Sequence, residues 1–289
     1  NDTFRPVVRF WDRINRPEQV ITTLPEVMRI LTSPADTGAA FVSMPQDVGT
    51  FAYDFPEEMF TTRYWHIPRN RADVSAIERA AEQIKKAQRP IIIAGGGVRY
   101  SEAQSAVNAF AERHGVPVAE THAGRGTLCY DHPLSLGGAG VAGTRGANLM
   151  AEAADLVIGI GTRFTDFATA SKTAFQNPSV RFININVFEM DALKHAALAL
   201  VGDAKSVVEE LDAALGDHST GQKYRDEVLA HNTWWNNEVE RIYSEAGEPL
   251  PTQGSLIGAV EKSSEPQDIV VTSSGSLPGD LLKLWRSRE

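Results

Sequence analysis

Residues Asp155–Phe167, DLVIGIGTRFTDF, decide how the rest of this chain is read. Leu156 to Ile160 is apolar apart from Gly159, opened by an acidic residue and closed by Gly161. A short continuous apolar run with such boundaries is the pattern of a parallel strand covered on both faces. The turn Gly161-Thr162-Arg163 follows directly, and open α/β sheets bind ligands at the carboxyl ends of their strands. Segments of the same kind flank it: Pro90–Gly97 (PIIIAGGG), Pro117–Thr121 (PVAET) and Val180–Val187 (VRFININV). Helical patterns separate them. The alternation predicts an α/β fold with a doubly wound parallel sheet.

Further along, Leu198–Val201 reads as a fifth strand, and Asp203 opens a helix over Ala204–Leu215. Before the first strand, Asp73 can cap a helix running through Lys86. Ser101 is placed to cap a helix Glu102–His114 that Gly115 ends, and Thr144 to cap one reaching about Ala154. These elements form a central unit over 67–216, with a partial α/β unit at each end. In residues 1–66, a helical pattern over 17–31 contains Pro25, which predicts a kinked or shortened helix, and a strand follows at Gly38–Pro45. In 217–289, a polar helical stretch anchored by Trp234 and Trp235 reads as a linker. It leads to a helix Gly254–Lys262, a strand Asp268–Thr272, the loop Ser273–Asp280 and a helix start at Leu281.

Composition narrows the function classes. A net charge of −9 speaks against a nucleic-acid surface as the main partner, because phosphate backbones demand a concentrated basic face. No apolar run reaches the length of about 20 residues that a membrane helix needs. Cys129 is the single cysteine, so no intrachain disulfide can form, and with no export signal the expected compartment is the cytoplasm. The chain begins at Asn1 without a Met, and an internal piece of a longer protein is expected.

Several stretches are candidates for chemistry. Gly95-Gly96-Gly97 lies between a strand and a helix, but the G-x-G-x-x-G pattern fails because its last position is Tyr100. Glu120 ends the next strand, either as a ribose-binding acid or as a solvent-facing carboxylate. Gly137–Gly146 (GGAGVAGTRG) is either an anion cradle at a helix start or glycine for close packing. Arg163 and Asp166 either pair with each other or contact a nucleotide. Ser274, Gly275, Ser276, Leu277, Pro278, Gly279 and Asp280 bring small residues, hydroxyls and backbone N–H groups to a strand end, a geometry suited to a diphosphate or to an ordinary turn. The seven histidines form no metal-ligand spacing, and no Walker A, H-E-x-x-H or G-x-S-x-G motif occurs.

The order of these pieces resembles the thiamine-diphosphate-dependent enzyme superfamily. GAAFVSMPQDV (38–48) is similar to the end of its pyrimidine-binding domain, and DHPLSLGGAGVAGTRGAN (131–148) with 155–167 to its central Rossmann-like domain. Residues 252–285 look like the opening of the diphosphate-binding domain. VVRFWDRINRPEQ (7–19), THAGRGT (121–127), GIGTRFTDFATASKTAF (159–175), NINV (184–187) and SSGSLPGDLLKLW (273–285) resemble a branch that hydrolytically opens a cyclic 1,2-dione in inositol catabolism.

The resemblance implies a C–C hydrolase using thiamine diphosphate and Mg2+, with residues 274–280 at the diphosphate. It implies a homodimer or homotetramer with active sites between chains, acting on a small molecule. The family's catalytic Glu and its magnesium motif fall outside this sequence, so the 289 residues alone are expected to be inactive. Flavin-binding relatives carry Arg-Phe-Asp-Asp-Arg where this chain has Arg163-Phe164-Thr165-Asp166-Phe167, so FAD is not expected. Two other readings are an acetohydroxyacid-synthase-like carboligase and a non-catalytic nucleotide-binding module.

Overall fold

The computed structural model describes residues 1–288, which form two compact units, Asn1–Arg69 and a second from Asn70 onward. In the first, strands β1 (Phe10–Arg13) and β2 (Ala40–Ser43) pair in parallel, with Phe10 opposite Ala40. Helix α1 (Val20–Leu31) connects them after a 3₁₀ turn at Pro17–Gln19. The helix is thus shorter than the 17–31 pattern, and it runs through Pro25. The strand at 10–13 escapes sequence reading because its four residues, FWDR, show no alternation.

In the second unit, α2 (Val74–Lys86) leads to β3 (Pro90–Ala94), followed by α3 (Gly96–Tyr100) and α4 (Gln104–His114). Then come β4 (Val118–Glu120), β5 (Ser135–Gly138), α5 (Arg145–Ala153) and β6 (Leu156–Ile160). The chain continues through α6 (Asp166–Thr169), β7 (Arg181–Asn186), α7 (Glu189–Ala192), β8 (Leu198–Val201) and α8 (Ala204–Leu215). Three further helices follow: α9 (Gln222–Tyr243), α10 (Gln253–Ser263) and α11 (Ser276–Leu284).

The six strands form one parallel sheet in the order β5-β4-β3-β6-β7-β8. The chain winds outward from β3 to β5, then crosses back and winds outward from β6 to β8. The doubly wound expectation therefore holds, and its switch point lies between β3 and β6. Every residue of these two strands is buried, which is why both read as continuous apolar runs. Local end signals also hold. Asp73 accepts from Ala76 N–H, Thr144 from Ala147 N–H and Asp203 from Ser206 N–H, while Gly115 closes α4 in the left-handed region.

Four expectations are corrected. Ser101 caps no helix of its own: α4 starts at Gln104, and the Ser101 hydroxyl instead accepts from Ala204 N–H at the start of α8. Ser135–Gly138, the start of the glycine-rich stretch, is a sixth strand, paired to β4 across a register shift. The polar stretch read as a linker contains one 22-residue helix, α9, whose buried side chains are Tyr224, Val228, Val239 and Tyr243 rather than Trp234. Asp268–Thr272 is not a strand, and Ile269 and Val271 are each 89% exposed. A parallel strand gains its ladder only from neighbours, and among the described residues none lies alongside this segment.

Candidate functional site

The carboxyl ends of β3 and β6 are where an open sheet of this topology takes a ligand. Here two glycine turns meet backbone to backbone. Gly95 N–H donates to Ile160 O at 2.8 Å, and Gly97 N–H to Gly161 O at 2.9 Å. A Cβ on Gly97 would lie 2.5 Å from Gly161 Cα, so Gly95-Gly96-Gly97 serves a close crossing of two loops.

Glu120, at the end of β4, is wholly buried, which overturns both readings of it as a ribose ligand or a solvent-facing acid. Its carboxylate pairs with Arg125 at 2.8 Å and accepts from Leu128 N–H at 3.0 Å. The stretch Gly137–Gly146 is closed on itself. Asn148 bonds both the N–H and the C=O of Gly140 at 2.9 Å, and Val141 N–H donates to Phe167 O. A Cβ on Gly140 would sit 2.0 Å from that same oxygen, so close packing accounts for the glycines.

Past β6, Thr162 and Phe164 are buried while Arg163, Thr165, Asp166 and Phe167 are exposed. Arg163 and Asp166 form no ion pair with each other; the Arg163 carbonyl accepts from Lys194 Nζ at 2.6 Å. Phe164 packs edge-on against Phe175 and Phe182, and His195 stacks on Phe182 with centroids 4.7 Å apart. Burial, helped by Lys172 and Lys194, holds the His195 imidazole below its ordinary pKa. Sequence reading missed this histidine, because only the fold brings it to the ring cluster.

Ser274, Gly275, Ser276 and Leu277 are exposed, and Pro278, Gly279 and Asp280 are half-buried. The helix starts five residues earlier than read, at Ser276, so Ser276–Asp280 are its first turn and Gly275 is its N-cap. Gly275 has φ +119°, and nothing lies within 4 Å of a Cβ built on it. First-turn N–H groups have no intrahelical acceptor, so Gly275, Ser276 and Leu277 offer free donors, and Pro278 has none to lose. The positive end of the helix dipole points the same way. Asp280 is held aside by Gln253 Nε2 at 2.6 Å. This set of exposed N–H and hydroxyl donors fits a diphosphate. Among the described residues no group of three or more His, Cys, Asp or Glu could hold a metal ion.

No helix of the described chain is long and apolar enough to cross a membrane. Residues 77–211 match the model of the thiamine pyrophosphate enzyme central domain. The chain is 43% identical over 310 residues to the 3D-(3,5/4)-trihydroxycyclohexane-1,2-dione hydrolase of Clostridium perfringens, covering 99% of this chain and 48% of that protein. It is 43% identical over 308 residues to the same-named protein of Geobacillus thermodenitrificans, covering 99% of this chain and 48% of that protein. With the same-named Bacillus anthracis protein it shares 41% over 313 residues, covering 100% of this chain and 49% of that protein. The chain thus spans about half the length of the curated relatives it matches. Those matched residues take in most of α2, the sheet from β3 to β8 and most of α8, so this part of the chain is similar to the central domain of the thiamine pyrophosphate enzymes.

Proposed function

We propose that this chain is part of a thiamine-diphosphate-dependent hydrolase that opens the ring of trihydroxycyclohexane-1,2-dione by C–C cleavage in myo-inositol catabolism. The observation that carries the reading is 43% identity extending over 99% of the chain, through both compact units, to proteins named for that reaction. Once bound with Mg2+, the cofactor supplies an electron sink for the bond pair released when a carbon–carbon bond between two carbonyls breaks. The chain's own part is binding. Ser274, Gly275, Ser276 and Leu277 donate N–H and hydroxyl groups to the diphosphate, Pro278 and Gly279 keep that turn compact, and Asp280 stays on Gln253. The Mg2+ ligands lie outside these residues.

The enzyme works in the cytoplasm as a homodimer or homotetramer with active sites between chains, on a small-molecule substrate. In support, Leu24, Met28 and Leu31 on α1 are exposed apolar side chains of the kind an interface covers. FAD has no part in it. The test is loss of the dione, followed by chromatography, with full-length protein. Ring opening that needs both thiamine diphosphate and Mg2+ is expected. Condensation of 2-oxo acids without ring opening would mean a carboligase instead.

A further inference from the structure

The C-terminal end of α11 is tied into the central sheet by a buried charge that neither packing nor the cofactor reading requires. Glu120 closes β4 and is 1% exposed at its side chain, and Arg125, paired with it, is 18% exposed. The other arm of the Arg125 guanidinium donates to the Trp285 carbonyl, the C-cap of α11. Its Nε is buried without a partner, and Arg125, Trp235 and Arg286 line a cavity of about 20 Å³. Burying an ion pair with a donor left over adds little or nothing to stability compared with an apolar pair of the same size. What such a pair does provide is a planar, directional fork.

The remaining attachments of α11 come from elsewhere. Leu282 seats in the notch of Gly138, where a Cβ would come within 2.5 Å of Leu282 Cγ. Trp235 Nε1 donates to Lys283 O at 3.1 Å, and Tyr243 OH to Leu284 O at 2.5 Å, both from α9. Leu282 packs on the end of β5, and Arg125 is the side chain that refers the helix to the end of β4 by a directional hydrogen bond. Gly138 stands opposite Glu120 in the β5–β4 register, so the notch and the charge pair share one origin. These holds act near the last turn, and towards the first, among the described residues, only Asp280, bonded by Gln253 Nε2 at 2.6 Å, adds a side-chain hydrogen bond. The first turn, with Ser276 and Leu277, lies about 13 Å away along the helix axis. A tilt of about 10° at the held end shifts that turn by roughly 2 Å, more than a binding geometry tolerates.

We propose that Arg125, held by Glu120, is a positioning residue for the diphosphate-binding turn. It fixes the C-terminal end of α11 against the sheet and so aims the N-terminal donors Gly275, Ser276 and Leu277. This rests on the reading that residues 274–280 bind the diphosphate. A purely structural pair could be neutralised without consequence for cofactor affinity, whereas a positioning pair could not.

The experiment uses full-length protein and calorimetric titration with thiamine diphosphate at saturating magnesium. The main variant is Glu120→Gln/Arg125→Met, in which both charges go together so that neither is left buried alone. Expected are cooperative unfolding close to wild type and a cofactor Kd raised tenfold or more. A folded double variant with a Kd within twofold of wild type overturns the proposal. Should the double variant not fold, Arg125→Lys keeps Glu120 paired but has no second arm for Trp285. A Kd raised at least threefold in that variant supports positioning, and an unchanged one overturns it. Ser276→Ala and Gly275→Val run alongside. If they leave the Kd unchanged, the diphosphate assignment itself falls; if they weaken binding while the Arg125 variants do not, only the positioning role falls.

Discussion

Gly161 has φ +59°, and a Cβ there would come 2.4 Å from Gly97 Cα, so both the torsion and the space exclude a side chain. Gly161→Ala is expected to cost about 2–5 kcal/mol, from a left-handed alanine plus overpacking between two backbones. Urea unfolding measures it, and a loss below about 0.5 kcal/mol, the range of neutral surface changes, would contradict this account. His195 yields a prediction with a sign. Burial chiefly, then Lys172 and Lys194, favours its neutral form in the folded state. As pH falls below the ordinary histidine value of about 6.5, the unfolded chain takes up the proton first, so stability is lost until the folded imidazole also titrates. His122 and His218 are shifted in the same direction, so they add to the slope. His195→Asn, whose shorter side chain tolerates the φ of +60°, should make the pH 7 to 5 decline in stability shallower. A slope equal to wild type would mean the ring cluster does not discriminate between the two charge states.

Helix α9 shows what an element gains from its surroundings. Its sequence is polar, yet Tyr224 and Val228 are buried at 6% and 0% exposure against the central unit. The Tyr224 hydroxyl donates to the carbonyl of Pro90 at 2.9 Å, at the first residue of β3. Tyr224→Phe leaves that carbonyl without this donor, and a loss of about 1–2 kcal/mol in unfolding free energy is expected. No change would show that water replaces the hydroxyl. The two adjacent tryptophans are the strongest apolar residues of α9 in sequence, but Trp234 remains 46% exposed while Trp235 is engaged through its ring N–H. A helix of this kind is recruited by carbonyls and cavities on other elements, and those are not local properties. The reverse holds for 268–272, where β-branched residues that suit a strand stay exposed because no neighbouring strand receives them.

For the protein as a whole, the absence of flavin is an expected outcome. Thr165 and Phe167 stand where flavin-binding relatives carry an acid and a base, and the crossing of Gly95 and Gly97 with Gly161 occupies the switch point. Purified full-length protein should show no visible flavin band, and a stoichiometric one would overturn the assignment. Five of the six strands, β3, β4, β6, β7 and β8, and their parallel, doubly wound arrangement are legible in the residues alone. Strands buried on both faces are continuous apolar runs, and the caps Asp73, Thr144 and Asp203 act within three residues of themselves. Residues 274–280 stand out in the sequence as a run of small and hydroxyl-bearing residues, but their sequence does not show that five of them lie in a helix. That Ser135–Gly138 is a strand, that Ser101 serves α8 and that Glu120 faces Arg125 in the interior emerge from the folded chain. A charge's partner and a strand's neighbour are set by chain segments far away in sequence. Arg125 and Trp285 are 160 residues apart, and no periodicity or local motif carries that information.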